Sequence, residues 1–170
     1  VQTAAPARLA SLIRGISRLT LSHDPGTAAL LKLGLCRALA SSPAAFAGAL
    51  GRHLRLLDHA TSAMKAGKKV SRAALRTLVG NDPEQLLLWG VLSDADGDVD
   101  LDIGEVPAVA GLLAASRQQG AESAHGGRLT KLRGLLADCV VTVVFTTSRD
   151  TLAWLRGLGW IDGRLEGEPR

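Results

Sequence analysis

At 170 residues the chain has room for one domain or parts of two, and with 46% hydrophobic and 21% charged residues most of it can fold. Tyr is absent and aromatics total 3%, so the core must be built from Leu, Ala and Val. No apolar stretch reaches the roughly 18–20 residues of a membrane helix, and Cys36 and Cys139 lie far apart without CxxC spacing. Membrane spans and disulfide scaffolds are thereby disfavoured, and the two thiols read as buried groups in a reducing compartment, which gives a cytoplasmic expectation. The histidines, His23, His53, His59 and His125, show no metal-ligand pattern.

The net charge of +4 hides an asymmetry. Residues 1–80 carry twelve Lys and Arg against Asp24 and Asp58, whereas residues 81–125 carry Arg117 against nine carboxylates. Two readings stand: the basic part meets a polyanion, or the two parts neutralise each other within one larger protein. Val1 stands where a starting Met belongs, which fits a piece of a longer chain.

In chain order, Leu9, Leu12, Ile13 and Ile16 form a helical stripe over residues 7–17, and Arg18–Ser22 alternates polar and apolar like a short strand. Asp24-Pro25 is a helix start, an acidic N-cap with proline at the first helical position. The helix runs to Leu39, and Ser41-Ser42-Pro43 ends it and starts the next, Ala44 to about Ala66. Phe46, Leu50, Leu54 and Leu57 make the apolar stripe of that second helix, with Arg52, Arg55, Asp58 and Lys65 outside and Gly67 as C-cap. Together the two predict an αα-hairpin.

Lys68, Lys69 and Arg72 follow in a basic connector. A phosphate loop needs G-x-x-x-x-G-K-[ST] after a strand. Ser62 occupies the first glycine position, Lys69 replaces the hydroxyl residue and a helix precedes, so that loop is excluded. Short helices are expected at residues 72–78 and after Asn81-Asp82-Pro83. Residues 93–105, SDADGDVDLDIGE, resemble a calcium loop only superficially. With Gly97 at position 6, Leu92 and Ile103 fall at the end-ligand positions; with Asp94 at position 1, Val99 falls where glycine is required. A solvated acidic loop is the expectation.

Val106, Val109, Leu112 and Leu113 predict another helix, residues 119–127 a linker, and Arg128–Ala137 a further helix. Cys139 to Phe145 is the most β-branched run in the chain and predicts a strand buried on both faces. Thr146, Thr147 and Ser148 end it, and Ser148 N-caps a helix with Asp150 in its first turn and Leu152, Leu155 and Leu158 on one face. Strand, hydroxyl-rich turn and helix make half a βαβ unit.

VVTVVFTTSRDTLAWLRGLG, preceded by the helix Leu129-Thr130-Lys131-Leu132-Arg133-Gly134-Leu135-Leu136, resembles the start of the second RecA-like domain of Swi/Snf-type superfamily 2 helicases, where V-x-V-F-[ST]-x-x-x-[DE]-T-x-x-x-L follows K-L-x-x-L-L. Leu31 to Phe46 resembles the helical segment between the two motor domains of bacterial members, so the resemblance runs from about Leu19 to the end. It implies a mainly α chain divided into the tail of a preceding domain (1–22), a helical inter-domain region (23–126) with its acidic loop, and the first strand–helix unit of an incomplete α/β, RecA-like domain (127–170). The parent would be an ATP-driven translocase on double-stranded DNA, using ATP and Mg²⁺ bound outside this chain, with the remainder of the motor as partner. No catalytic constellation or cofactor site is present in the sequence itself. The resemblance places Thr146, Thr147, Ser148, Arg149 and Thr151 at a corner facing the DNA backbone, where N–H groups, hydroxyls and a guanidinium suit phosphate; on the residues alone, the hydroxyls serve equally as helix caps. Lys68, Lys69 and Arg72 add a basic surface for weak, non-specific duplex binding. The alternative is a non-enzymatic helical module that binds nucleic acid or a protein through its basic half.

Overall fold

A computed structural model describes residues 4–67, 101–118, 130–135, 137, 146 and 148–157. Among them the chain is mainly α-helical and contains no strand. The expected strand of residues 139–145, the short helices after Arg72 and the acidic run up to Asp100 lie outside the described residues.

Helix α1 (Ala4–Arg18) turns Leu12 and Ile16 into the core with Leu9 beside them, and leaves Ile13 46% exposed. Its C-terminal end is held by α2 (Pro25–Ser41): the Lys32 Nζ donates to the Ser17 carbonyl at 3.1 Å, a cation placed at the negative end of the helix dipole. The segment expected as a strand, Arg18–Ser22, forms none. Arg18 closes α1, Leu21 takes a left-handed φ of 64°, and Ser22 makes a single antiparallel bridge to Leu101. The positive φ breaks the extended geometry that a ladder requires. Leu21 is wholly buried, and its carbonyl accepts the Asp102 N–H at 3.3 Å.

Asp24 caps α2 as its position before Pro25 predicts: its carboxylate accepts the Thr27 N–H at 2.6 Å. Hydrogen bonds from the Thr27 side chain and backbone hold this carboxyl below its ordinary value. Ser42 alone separates α2 from α3 (Pro43–Lys65) and serves both. Its N–H closes α2 on the Ala38 carbonyl at 3.1 Å, while its hydroxyl accepts the Ala45 N–H at 3.0 Å to open α3. The α3 helix is the centre of the molecule, touching α2, the 3₁₀ turn Ile103–Glu105, α4 (Val106–Gln118) and α5 (Arg149–Gly157). Its buried face runs through Phe46, Leu50, His53 and Leu57 at three- and four-residue spacing. Leu54, expected on that stripe, is half-buried against the core, and His53 beside it is buried. Gly67, at φ 67°, ends α3 in the left-handed conformation that only glycine adopts without cost.

The end of the acidic stretch is folded. Leu101 is buried in the core, and Asp102 caps the 3₁₀ turn through the Gly104 N–H at 3.0 Å. In α4, Val109 and Leu113 are buried, and Gly15 of α1 admits the Leu112 side chain so closely that a Cβ there would lie 2.7 Å from it. One core therefore joins residues from α1 and the α1–α2 turn, assigned by resemblance to a preceding domain, with α2, α3 and α4. Residues 130–135 and 137 are helical, with Leu135 60% exposed.

Candidate functional site

The α5 helix begins as expected. The Ser148 hydroxyl accepts the Thr151 N–H at 3.3 Å, and the Leu152 N–H donates to the Ser148 carbonyl at 3.1 Å. Before the cap, the Thr146 hydroxyl oxygen accepts the Ser148 N–H at 3.2 Å, tightening the turn.

This corner is seated on the α2–α3 junction. The Thr151 hydroxyl shares hydrogen bonds with the Ser41 and Ser42 hydroxyls at 2.9 and 2.7 Å. Further along α3, the Arg52 guanidinium donates to the Asp150 carboxylate at 2.8 Å, with the two side chains 18% and 34% exposed. Gly48 lies beneath that carboxylate: a Cβ there would collide with the Asp150 carboxylate oxygen and come within 3.3 Å of the Arg52 guanidinium. The missing side chain of Gly48 is therefore what lets Asp150 reach Arg52.

Among the described residues of the corner, Ser148, Thr151 and Leu155 are buried and Leu152 and Trp154 half-buried, and Leu155 lies outside the main core cluster. Burying one leucine contributes about 1.5–3 kcal/mol, an ion pair of this partial exposure on the order of 1 kcal/mol, and each hydroxyl bond about 1 kcal/mol.

The predicted site residues consequently divide. Arg149 is exposed and Thr146 is half-buried. Ser148 and Thr151 are buried, and their hydroxyls are taken up in the cap and in the contact with Ser41 and Ser42. Thr147, Lys68, Lys69 and Arg72 lie outside the described residues. The residues sequence reasoning missed are Ser41, Ser42, Gly48, Arg52 and Asp150 acting as one contact. Ser42 was legible as a junction and Asp150 as a first-turn acid, but neither role signals a partner about a hundred positions away.

The described surface is basic. Arg14, Arg18, Arg37, Arg55, Lys65, Arg117, Lys131, Arg133 and Arg149 are exposed, whereas Asp24 and Asp58 are the exposed carboxylates among the described residues. Among those residues no group of three His, Cys, Asp or Glu is placed to hold a metal ion, and no helix is long and apolar enough to cross a membrane. His53 is 7% exposed, and its Nε2 has no hydrogen-bond partner among the described residues. Desolvation lowers its pKa to about 4, so the ring is neutral at pH 7.

A comparison with known proteins finds no family model, no curated protein and no solved structure that matches the chain.

Proposed function

We propose that this chain is part of an ATP-driven DNA translocase of the Swi/Snf type, supplying the helical region between the two motor domains and the first strand–helix unit of the second. The observation that carries the reading is the sequence of residues 140–155 with the geometry at its end. In the resembled motif the fixed polar pair is [DE]-T, here Asp150 and Thr151. These two residues open α5 directly after a hydroxyl-rich turn and fasten it to Arg52, Ser41 and Ser42 of the helical region. Two stretches joined by the resemblance alone are thus in contact through the motif's own polar pair. ATP and Mg²⁺ belong to the parent protein; this chain carries no phosphate loop and catalyses nothing alone.

A second reading rests on the excess of exposed cations: a helical module that holds double-stranded DNA by its phosphates, without sequence preference. The two readings separate on the gene that surrounds this sequence. The translocase reading expects G-x-x-x-x-G-K-[ST] upstream, an arginine-bearing motif downstream, and DNA-stimulated ATP hydrolysis by the protein expressed in full. A gene that lacks both motifs, or a full protein that hydrolyses no ATP, overturns it and leaves the module.

A further inference from the structure

We infer that α5 is a reversible latch: a helix that docks on the α2–α3 junction through the Arg52–Asp150 ion pair and the Thr151–Ser41–Ser42 hydroxyl cluster, and lets go while the rest of the helical core stays folded. The inference does not depend on the proposed function.

Three observations support it. The first is composition of the contact. Elsewhere α3 packs through fully buried apolar residues such as Phe46, Leu50 and Leu57, whereas the buried residues of α5 among the described ones are Thr151 and Leu155, with Asp150, Leu152 and Trp154 half-buried. The second is solvent. Asp150 and Arg52 remain partly exposed, so dissolved ions reach the pair and screen it, unlike the apolar core. The third is steric. The atom a Cβ at Gly48 would meet most closely is the Asp150 carboxylate oxygen of α5, so the docked state uses the space that the missing side chain leaves. In the interior of a helix glycine is otherwise the poorer residue than alanine.

Release of the latch exposes Asp150 and Thr151 to solvent and frees the Arg52 guanidinium from its carboxylate. Electrostatic release differs from unfolding because only the former responds to screening at the ion pair.

Hydrogen–deuterium exchange of the whole 170-residue chain separates the two, following residues 149–157 and residues 43–65 in the same sample. Raising NaCl from about 0.05 to about 1 M shortens the Debye length from over 10 Å to about 3 Å, and should speed exchange of 149–157 about threefold. Exchange of 43–65 should not rise with it. Gly48→Ala should raise exchange of 149–157 about tenfold and abolish its salt response, while protection of 43–65 stays equal or increases because alanine favours the helix. Asp150→Asn removes the charge at constant size and should likewise diminish the salt response, which provides the decision if Gly48→Ala does not fold. Equal protection of the two segments at every salt concentration, or an undiminished salt response in Asp150→Asn, overturns the latch.

Discussion

Arg52 and Asp150, 98 positions apart, meet at 2.8 Å, and the ion pair they form joins the central helix to the N-terminal turn of α5. A double-mutant cycle with Arg52→Ala and Asp150→Ala, followed by urea denaturation, should give a coupling energy of about 0.5–1.5 kcal/mol at low salt. At about 1 M salt the coupling should fall by half or more. Additive single variants would mean that the two groups are neighbours without being partners.

Thr151 is the polar complement to that pair, bonded to both Ser41 and Ser42. Thr151→Val keeps the shape and removes the hydroxyl, so it should cost about 1–2 kcal/mol, with the half-buried Ser41 and buried Ser42 hydroxyls each losing a partner. Ser42→Ala should cost more, about 2–3 kcal/mol, because it also removes the cap of α3. Thermal unfolding of both variants ranks them, and a smaller loss for Ser42→Ala would contradict the double role of that hydroxyl.

His53 makes the stability of the core depend on pH. Its folded pKa of about 4 lies below the ordinary value of 6.5, so the folded state binds the proton less readily than the unfolded chain. Stability from this group is therefore complete above about pH 6.5 and lost as pH falls toward 4, by about 2 kcal/mol at pH 5 and about 3 kcal/mol in full. His53→Leu should remove that part of the pH profile. A wild-type denaturation midpoint that is flat between pH 7 and pH 4.5 would show that the ring is not buried neutral.

Leu21 is fully buried at φ 64°. At an ordinary core position glycine is worse than alanine by up to about 1 kcal/mol. Here the left-handed backbone costs alanine about 1–2 kcal/mol that glycine escapes. Both variants lose the leucine packing, but Leu21→Gly should be at least as stable as Leu21→Ala. The reverse order in chemical denaturation would remove the positive φ from the account.

The helices and their ends were the legible part of the sequence because their signals are local. Asp24-Pro25, Ser42-Pro43, Gly67 and Ser148 each perform the capping or stopping role that their neighbours predict. The apolar stripes of α1, α3 and α4 follow their periodicity, with Ile13 left exposed. What the sequence did not reveal is pairing at long range. Leu101 looks like one apolar residue in an acidic run, yet Ser22 and the core claim it. Arg52 looks like one of several outward cations, and only the approach of α5 over Gly48 sets it apart from Arg55. His53 follows the helical period of the buried face, but its polarity argued against placing it there. Strand propensity at Arg18–Ser22 was outweighed by the turn that brings Leu21 inside.

Both proposed readings have a basic surface of this chain meet the DNA backbone. The direct measurement of that contact is fluorescence anisotropy of a labelled duplex of about 25 base pairs, titrated with the whole chain across a salt series. Each phosphate neutralised contributes about −0.9 to the slope of log K against log[salt], so a surface using three or four cations should give a slope near −3. Arg149→Ala should reduce its magnitude by about 1, and the triple variant Lys68→Ala, Lys69→Ala, Arg72→Ala by about 2–3. Asp94, Asp96, Asp98 and Asp100 should oppose binding if they cover the basic face, so their joint replacement by Asn should tighten it at low salt, leaving Leu101 and Asp102 to hold the core. A steep salt dependence weakened by these basic-residue changes is the predicted result. A slope near zero, or unchanged affinity in both the triple variant and Arg149→Ala, would contradict a DNA-facing surface and leave the charge asymmetry to internal neutralisation.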